Sequence, residues 1–399
     1  MTTITANIGH LRTARAAIRS HVPGGTAKKN QASRTIALTP EAITHTGPLD
    51  VPEAIHVTVP LHGTGDATEP MYVDATEFSK AVSVVAGRSN KKNNGVDMHI
   101  ELIDNTVRFT APDITDRTAT IPTSDAHHGN TLDTKSVDDT PVIEANAGEL
   151  AHVWDTTHKS LGVDQTLPML TMFHVGVIGQ QVTFAATDRY RMSVAQPKIA
   201  TTTLTKDDRF LLPTSLMKAT THLDDDASVT ISANDHRTTF VLDSDDGTRV
   251  IARIDYSNPI NPKSLYDIVT GKSHESPTEN PVSATLDTDD ITSFVKELVK
   301  TNSRGRIILH PNTSTIDAEV RGNYDIEKIY AEDSLGLDWD EDVDGSAGSS
   351  VQLNNGYLLD TLTMLSTDKV KVVIRSGKAP VLIHEVDGKT RHVVMPIYM

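Results

Sequence analysis

The 399-residue chain contains no cysteine. That absence excludes disulfides, thiolate metal sites and a cysteine nucleophile together. No apolar run approaches the length of a membrane span, and the opening MTTITANIGHLRTARAAIRS lacks the apolar core of a secretory leader. The chain is therefore expected to be soluble and cytoplasmic, with no membrane association. Acidic residues are missing from the first 40 positions, which carry Arg12, Arg15, Arg19, Lys28, Lys29 and Arg34. The remaining 37 − 6 = 31 basic residues face all 53 acids, a net of −22 within a total of −16. Sign asymmetry of this kind points to an anion-binding face on an otherwise acidic body. With 37% hydrophobic content, the chain can bury a sizeable core and is long enough for several domains.

Three helix-like segments recur at nearly constant spacing. They lie near Leu11 (HLRTARAAIRSHV), Leu150 (GELAHVWDTTHKSLG) and Ile291 (DDITSFVKELVKTN), separated by 150 − 11 = 139 and 291 − 150 = 141 residues. A second helix-like segment follows in each block, opening at Asp74, Pro213 and Asn354, again 213 − 74 = 139 and 354 − 213 = 141 apart. Two independent markers with the same offsets indicate three copies of one unit. Strand-like runs with hairpin signals such as Asp104-Asn105, Asp246-Gly247 and Asp387-Gly388 fill the gaps. The predicted unit is mostly antiparallel sheet with two helices, an α+β arrangement. Polar stretches at 123–140 and 270–281 read as linkers, which places domains at 1–130, 140–270 and 281–399. Residues 332–350, EDSLGLDWDEDVDGSAGSS, read as a long acidic loop.

Residue patterns for chemistry are sparse. Gly271-Lys272-Ser273 has the tail of a phosphate-binding loop, but Tyr266 stands where the motif requires its first glycine. Asp340, Asp342 and Asp344 alternate like the opening of a calcium loop, whose twelfth position needs a bidentate glutamate and here has Val351. His127-His128, and His152 with His158, lack carboxylates at matching helical spacing. Asp224-Asp225-Asp226 follows a helix and reads as a turn. The expectation is a non-enzyme with no catalytic residue, no metal and no cofactor. A hydrolase using Asp188 or the acidic loop with a divalent metal is the least favoured alternative.

Arg12, Arg15 and Arg19 stand at i, i+3 and i+7, on one helix face. Lys80, Lys159, Lys218, Lys296 and Lys300 lie on the other helix-like segments, the last two one turn apart. Repeated units with basic helical stripes suit a polyanion, through phosphate contacts that carry no sequence readout and permit sliding.

The stretch 180–196, QQVTFAATDRYRMSVAQ, joins two strand-like runs through an acid, two arginines and a tyrosine. Plain hairpins prefer Asn-Gly or Asp-Gly at such a turn. Its ATDRYRM segment (186–192) resembles the ATDxxRL segment of bacterial DNA polymerase sliding clamps, the beta subunit of the replicative polymerase. LPMLT (167–171), GYLLDTLTML (356–365), KAPVLI (378–383) and the terminal HVVMPIYM (392–399) resemble the same family in order and spacing. The resemblance covers 150–399 in residue identity and rests on the repeat spacing over 1–140. It implies a three-domain protomer in a head-to-tail homodimeric ring around double-stranded DNA, with sheets outside and two helices per domain lining the central hole. It implies a processivity factor without chemistry of its own, opened by an ATP-driven clamp loader and tethering a DNA polymerase.

Partner peptides would enter a hydrophobic cleft between the second and third domains. The matching positions are Leu170, Thr187, Arg189, Tyr190, Arg191 and Met192, then Pro259 and Lys263 from the loop after the ARID strand. Pro380, Val393, Val394, Met395, Pro396, Ile397, Tyr398 and Met399 complete it. Exposed methionines adapt to several partners. His392, Tyr398 and Lys263 depart from the family's usual residues, which implies a different partner peptide and admits phage replication proteins. Loops that approach DNA in the family match Lys28, Lys29, Arg34, Lys159 and Gln165. A non-ring scaffold that kept the cleft but lost encirclement is the alternative.

Overall fold

The computed structural model describes residues 2–21, 34–47, 53–87, 91–125, 140–256, 258–272, 282–302, 305–311, 314–322, 329–336, 340, 350–375, 378–386 and 388–397. Seven α-helices occur among them: α1 (Ile8–His21), α2 (Ala75–Ala86), α3 (Ala147–Thr157), α4 (Thr214–Thr220), α5 (Pro262–Val269), α6 (Thr288–Val299) and α7 (Asn355–Leu362). The helix starts carry the repeat. Those of α1, α3 and α6 are 147 − 8 = 139 and 288 − 147 = 141 residues apart. Those of α2, α4 and α7 give 214 − 75 = 139 and 355 − 214 = 141.

Each helix follows a strand, and polar groups at the junction close its first turn. Asp74 accepts the amides of Thr76 and Glu77 at the start of α2, and Asp287 those of Asp289 and Asp290 at α6. Asn354 accepts the Tyr357 amide at α7. Pro213 offers α4 no side-chain cap. Glu53 supplies it instead, taking the Ser215 amide at 2.9 Å and the Thr214 hydroxyl at 3.1 Å. The carbonyls of Asp225 and Ala227, in the turn after α4, receive the first amides of α3.

The chain divides into two compact units. The first comprises Met1–Ala151, Ile199–Thr203 and Pro213–Ser257, the second His152–Lys198, Leu204–Leu212 and Asn258–Met399. The first unit holds two antiparallel sheets. One has five strands, in the order Thr64–Gly65, Thr2–Asn7, Asp97–Ile103, Thr106–Ala111 and Thr115–Pro122. The other has nine, and joins strands from two repeats where Arg249–Ile254 pairs with Glu53–Pro60. Leu11, Ala14 and Ile18 of α1, and Phe78, Val82 and Val85 of α2, are buried. The Phe78 ring meets Phe109 at 6.0 Å.

The second unit repeats the plan with an eight-stranded and a four-stranded sheet. The eight-stranded sheet runs Arg209–Leu212, Phe173–Ile178, Gln181–Thr187, Arg191–Ala195, Thr390–Val394, Val381–Glu385, Lys369–Ile374 and Val282–Asp287. The four-stranded sheet runs Ile329–Gly336, Thr315–Arg321, Arg306–Pro311 and Val351–Asn354. Ile291, Phe294 and Leu298 of α6 share one core with Leu358 and Leu362 of α7 and with Val394. Each side chain of this size, fully buried, contributes about 1.5–3 kcal/mol.

The structure corrects the sequence reading in three places. Residues 332–336, expected to open an acidic loop, are strand: Ile329–Gly336 pairs along its length with Thr315–Arg321. That strand has no buried residue, so its sequence shows no alternation to detect. Lys263 lies in helix α5 rather than in a loop. The N-terminal segment opens with a strand, Thr2–Asn7, before α1 begins.

Candidate partner-binding cleft and nucleic-acid face

Gln181–Thr187 and Arg191–Ala195 are adjacent antiparallel strands, with Thr187 opposite Met192. The link between them is wired by its own side chains. Asp188 Oδ1 accepts the amides of Tyr190 and Arg191, each at 2.9 Å, and Oδ2 takes Arg191 Nε at 3.1 Å. The Thr187 hydroxyl donates to the Arg191 carbonyl at 2.9 Å and accepts the Arg189 amide at 3.1 Å. These local bonds replace the glycine of an ordinary tight turn. They hold Arg189 at φ 80°, in the left-handed region. The Asp188 carboxylate is thus committed to the turn, which makes it a positioning group. Asp340 is likewise committed, to Lys371 at 2.7 Å and the Ser283 hydroxyl at 2.8 Å. Asp342, Asp344, His127 and His128 lie outside the described residues.

On its other side Arg191–Ala195 pairs with Thr390–Val394, with Arg191 opposite Val394 and Met192 opposite Val393. The two motifs, whose Ser193 and His392 are 199 residues apart, thereby become neighbouring strands. Met192, Val393 and Leu382 form one apolar cluster with Leu265 and Val269 of α5. Ile260, Tyr266, Ile268 and Met395 pack on it, partly exposed. The Tyr190 carbonyl accepts the Met395 amide at 2.9 Å, and 53% of the tyrosine's surface is exposed. Its ring stacks on Tyr357 of α7, with centroids 6.0 Å apart and planes at 21°. The Arg191 guanidinium lies 4.6 Å from the Tyr357 ring centre and bonds Asp360 at 2.7 Å. A cation over a ring face is attracted by the ring's quadrupole. Burial, with the Asp188 charge adding to it, raises the Tyr357 hydroxyl above the usual tyrosine range.

The other expected cleft residues fall into distinct environments. Leu170, Thr187, Pro380, Val393, Val394 and Pro396 are buried, and Val394 belongs to the core beneath α6 and α7 rather than to the Met192 cluster. Pro259, Met395 and Ile397 are half-buried. Lys263 is exposed and pairs with Asp267 one turn along α5, at 2.5 Å. Tyr398 and Met399 lie outside the described residues. Leu265, Tyr266, Tyr357 and Asp360 are the residues the sequence reading of the cleft leaves out. For α5 a signal existed, since Asn261-Pro262 is a cap followed by proline at the first helical position.

The basic positions separate by what holds them. Arg12 donates to the carbonyls of Ala86 and Gly87, at 2.9 and 2.6 Å, and so closes the end of α2. Arg34 pairs with Asp74 at 3.2 Å. Lys218 donates to the Ser20 carbonyl at the end of α1, at 2.6 Å, and burial lowers its pKa. Arg15 reaches the Ser83 hydroxyl at 2.5 Å. Burial and the neighbouring Arg12 and Arg19 push its guanidinium below the usual value. Lys80 pairs with Glu77, and Lys300 with Glu297, one turn away. Lys159 donates to the Thr363 hydroxyl at 2.8 Å and lies 3.7 Å from Asp360. Arg19, Gln165 and Lys296 are exposed. Lys28 and Lys29 lie outside the described residues. In the first unit an open groove of about 1020 Å³ gathers Arg15, Arg19, Lys80 and Arg117.

Among the described residues no helix is long and apolar enough to cross a membrane, and no group of three or more His, Asp or Glu side chains is arranged to hold a metal.

The whole chain has the fold of the DNA clamps. The beta subunit of Thermotoga maritima DNA polymerase III matches it with a TM-score of 0.75 at 12% identity, over 100% of both chains. The Streptococcus pyogenes beta subunit gives 0.71 at 16%, and the Pseudomonas aeruginosa sliding clamp bound to griselimycin 0.70 at 16%, each again over 100% of both chains. Residues 144–253 match the family model described as DNA polymerase III beta subunit, central domain, and that segment belongs to the family.

Proposed function

We propose that the protein is a DNA sliding clamp, a non-catalytic processivity factor that encircles double-stranded DNA and holds a DNA polymerase to its template. The observation that carries this reading is the fold match to clamp structures over the full length of both chains. The proposed protomer has three domains, 1–130, 140–270 and 281–399, acts in the cytoplasm, and is opened by a clamp loader. The exposed basic residues Arg19 and Lys296 suit a sugar–phosphate backbone. The cluster of Met192, Val393 and Leu265, flanked by Tyr190 and Met395, suits a short apolar segment of the polymerase or loader.

Two sheet edges support a head-to-tail homodimer. Thr115–Pro122 ends the five-stranded sheet and Ile329–Gly336 ends the four-stranded one. Such edges present unpaired backbone groups, ready to pair with another chain. The first edge carries exposed Arg117, which lines one groove with Lys80 and Val84 of α2. The second carries exposed Glu332 and Asp333 with Ile329 and Tyr330. Opposite charge and exposed apolar surface on the two edges match head to tail.

The protein assembled on nicked circular DNA is expected to stay bound through gel filtration and to be released when the circle is cut once. Equal loss from circle and linear DNA would sink the ring and leave the non-ring scaffold. For the cleft, griselimycin serves as the probe, and we infer that it binds this chain at the Met192–Val393 cluster. Met395→Glu, which sets a charge on that apolar surface, should weaken its binding by at least about tenfold in isothermal titration calorimetry. An unchanged affinity would assign the compound to another surface.

A further inference from the structure

We propose that Asp360 couples phosphate occupancy at Lys159 to the order of the Tyr190 platform, so that bound duplex tightens the partner cleft. The inference rests on the sliding-clamp reading, which brings a duplex to Lys159.

Asp360 of α7 is shared. Its Oδ2 holds Arg191 at 2.7 Å, while Oδ1 lies 3.7 Å from the Lys159 ammonium. Arg191 in turn bonds Asp188 and lies over Tyr357, on which Tyr190 stacks. One carboxylate thus stands between a candidate nucleic-acid contact and the exposed ring of the cleft. The arginine is 11% exposed, with Nε on Asp188 and Nη1 on Asp360, so it acts as a lock on the platform rather than as a group offered to a partner.

The turn that carries Lys159 is anchored. The Ser160 hydroxyl lies 2.6 Å from that of Ser193, which lies 2.8 Å from His392 Nδ1, and all three residues are fully buried. The Lys159 side chain, 34% exposed, can exchange acceptors. A backbone phosphate carries a full charge and draws the ammonium from Thr363 and Asp360. Asp360 then neutralises Arg191 alone, which strengthens the lock on Tyr357 and Tyr190. A platform ordered in advance costs a partner less to bind. By linkage, a partner seated on it raises affinity for duplex by the same factor. Both Lys159 and Asp360 are partly in water, at 34% and 42% side-chain exposure, so screening keeps the factor small, about 1.5- to 5-fold.

Hydrogen exchange of residues 187–193 in the full-length protein, with and without a saturating short linear duplex, tests the coupling. Fluorescence anisotropy of the same duplex reports occupancy in each sample. Duplex should slow exchange about two- to fivefold in the natural protein. It should leave exchange unchanged in Asp360→Asn and in Lys159→Met at matched occupancy, and either variant alone decides the point. Unchanged exchange in the natural protein with duplex bound, or slowing that persists in the variants, overturns the coupling. No binding of the duplex at saturating concentration overturns the coupling, while retention on nicked circular DNA tests the clamp reading separately.

Discussion

Changing Lys80 and Arg117 together to glutamate is expected to lower the solution mass from that of a dimer to the 43.3 kDa of one chain. Mixing that chain with one carrying Glu332→Lys and Asp333→Lys should restore the dimer. In a head-to-tail pair each contact joins the edge with Lys80 and Arg117 to the edge with Glu332 and Asp333. The first variant sets four negative charges against one another at both contacts, and the second sets four positive ones. Like charges brought together at an interface cost several kcal/mol, which raises the dissociation constant more than about 100-fold. In the mixture, one contact has its natural charges and the other has both signs reversed, so attraction returns at both. Sedimentation at low ionic strength reads the effect most clearly, because salt screens exposed pairs beyond about 10 Å. A first variant that remains dimeric, or a mixture that stays monomeric, would remove the edge-to-edge contact from the proposal.

Acid should be the second large lever. His392 and His174 are fully buried. Burial, with His384 nearby, holds the His392 ring down at about 3, and burial holds His174 at about 4. In the unfolded chain both titrate near 6.5. Between these values the unfolded chain binds protons and the folded one does not, so folding is favoured less as pH falls. The contribution is fully present above pH 6.5 and is lost progressively below it, towards pH 4 for His174 and pH 3 for His392. Between pH 7.5 and 4.5 each histidine removes roughly 2–3 kcal/mol, a large share of a typical 5–15 kcal/mol. His392→Leu keeps a buried side chain without a titrating group, and Ser193 retains Ser160 as a partner. The urea midpoint of this variant should therefore depend on pH markedly less than that of the natural protein. An identical pH dependence would show that His392 is not neutral in the fold.

The sequence alone determined the repeat and the class of unit. Helix starts depend on capping residues and on apolar spacing over one or two turns, both local, so the separations of 139 and 141 residues pass unchanged from sequence to structure. The turn at Asp188 was legible for the same reason, since its carboxylate bonds amides two and three residues away. Only the tertiary structure set Met192 directly opposite Val393, which the family resemblance had put in one cleft, because no local signal encodes the register of strands so distant in sequence. It also decided which basic residues remain available. Arg12, Arg15 and Arg19 share a helical stripe, yet Arg12 closes α2 while Arg19 is exposed, and spacing cannot report a partner on another helix. The edge strand Ile329–Gly336 stayed hidden because alternation reveals a strand only when one face is buried, and this one buries neither. Asp360 reads in sequence as one acid among 53; its place between Lys159 and Arg191 exists only once α7 packs beside both.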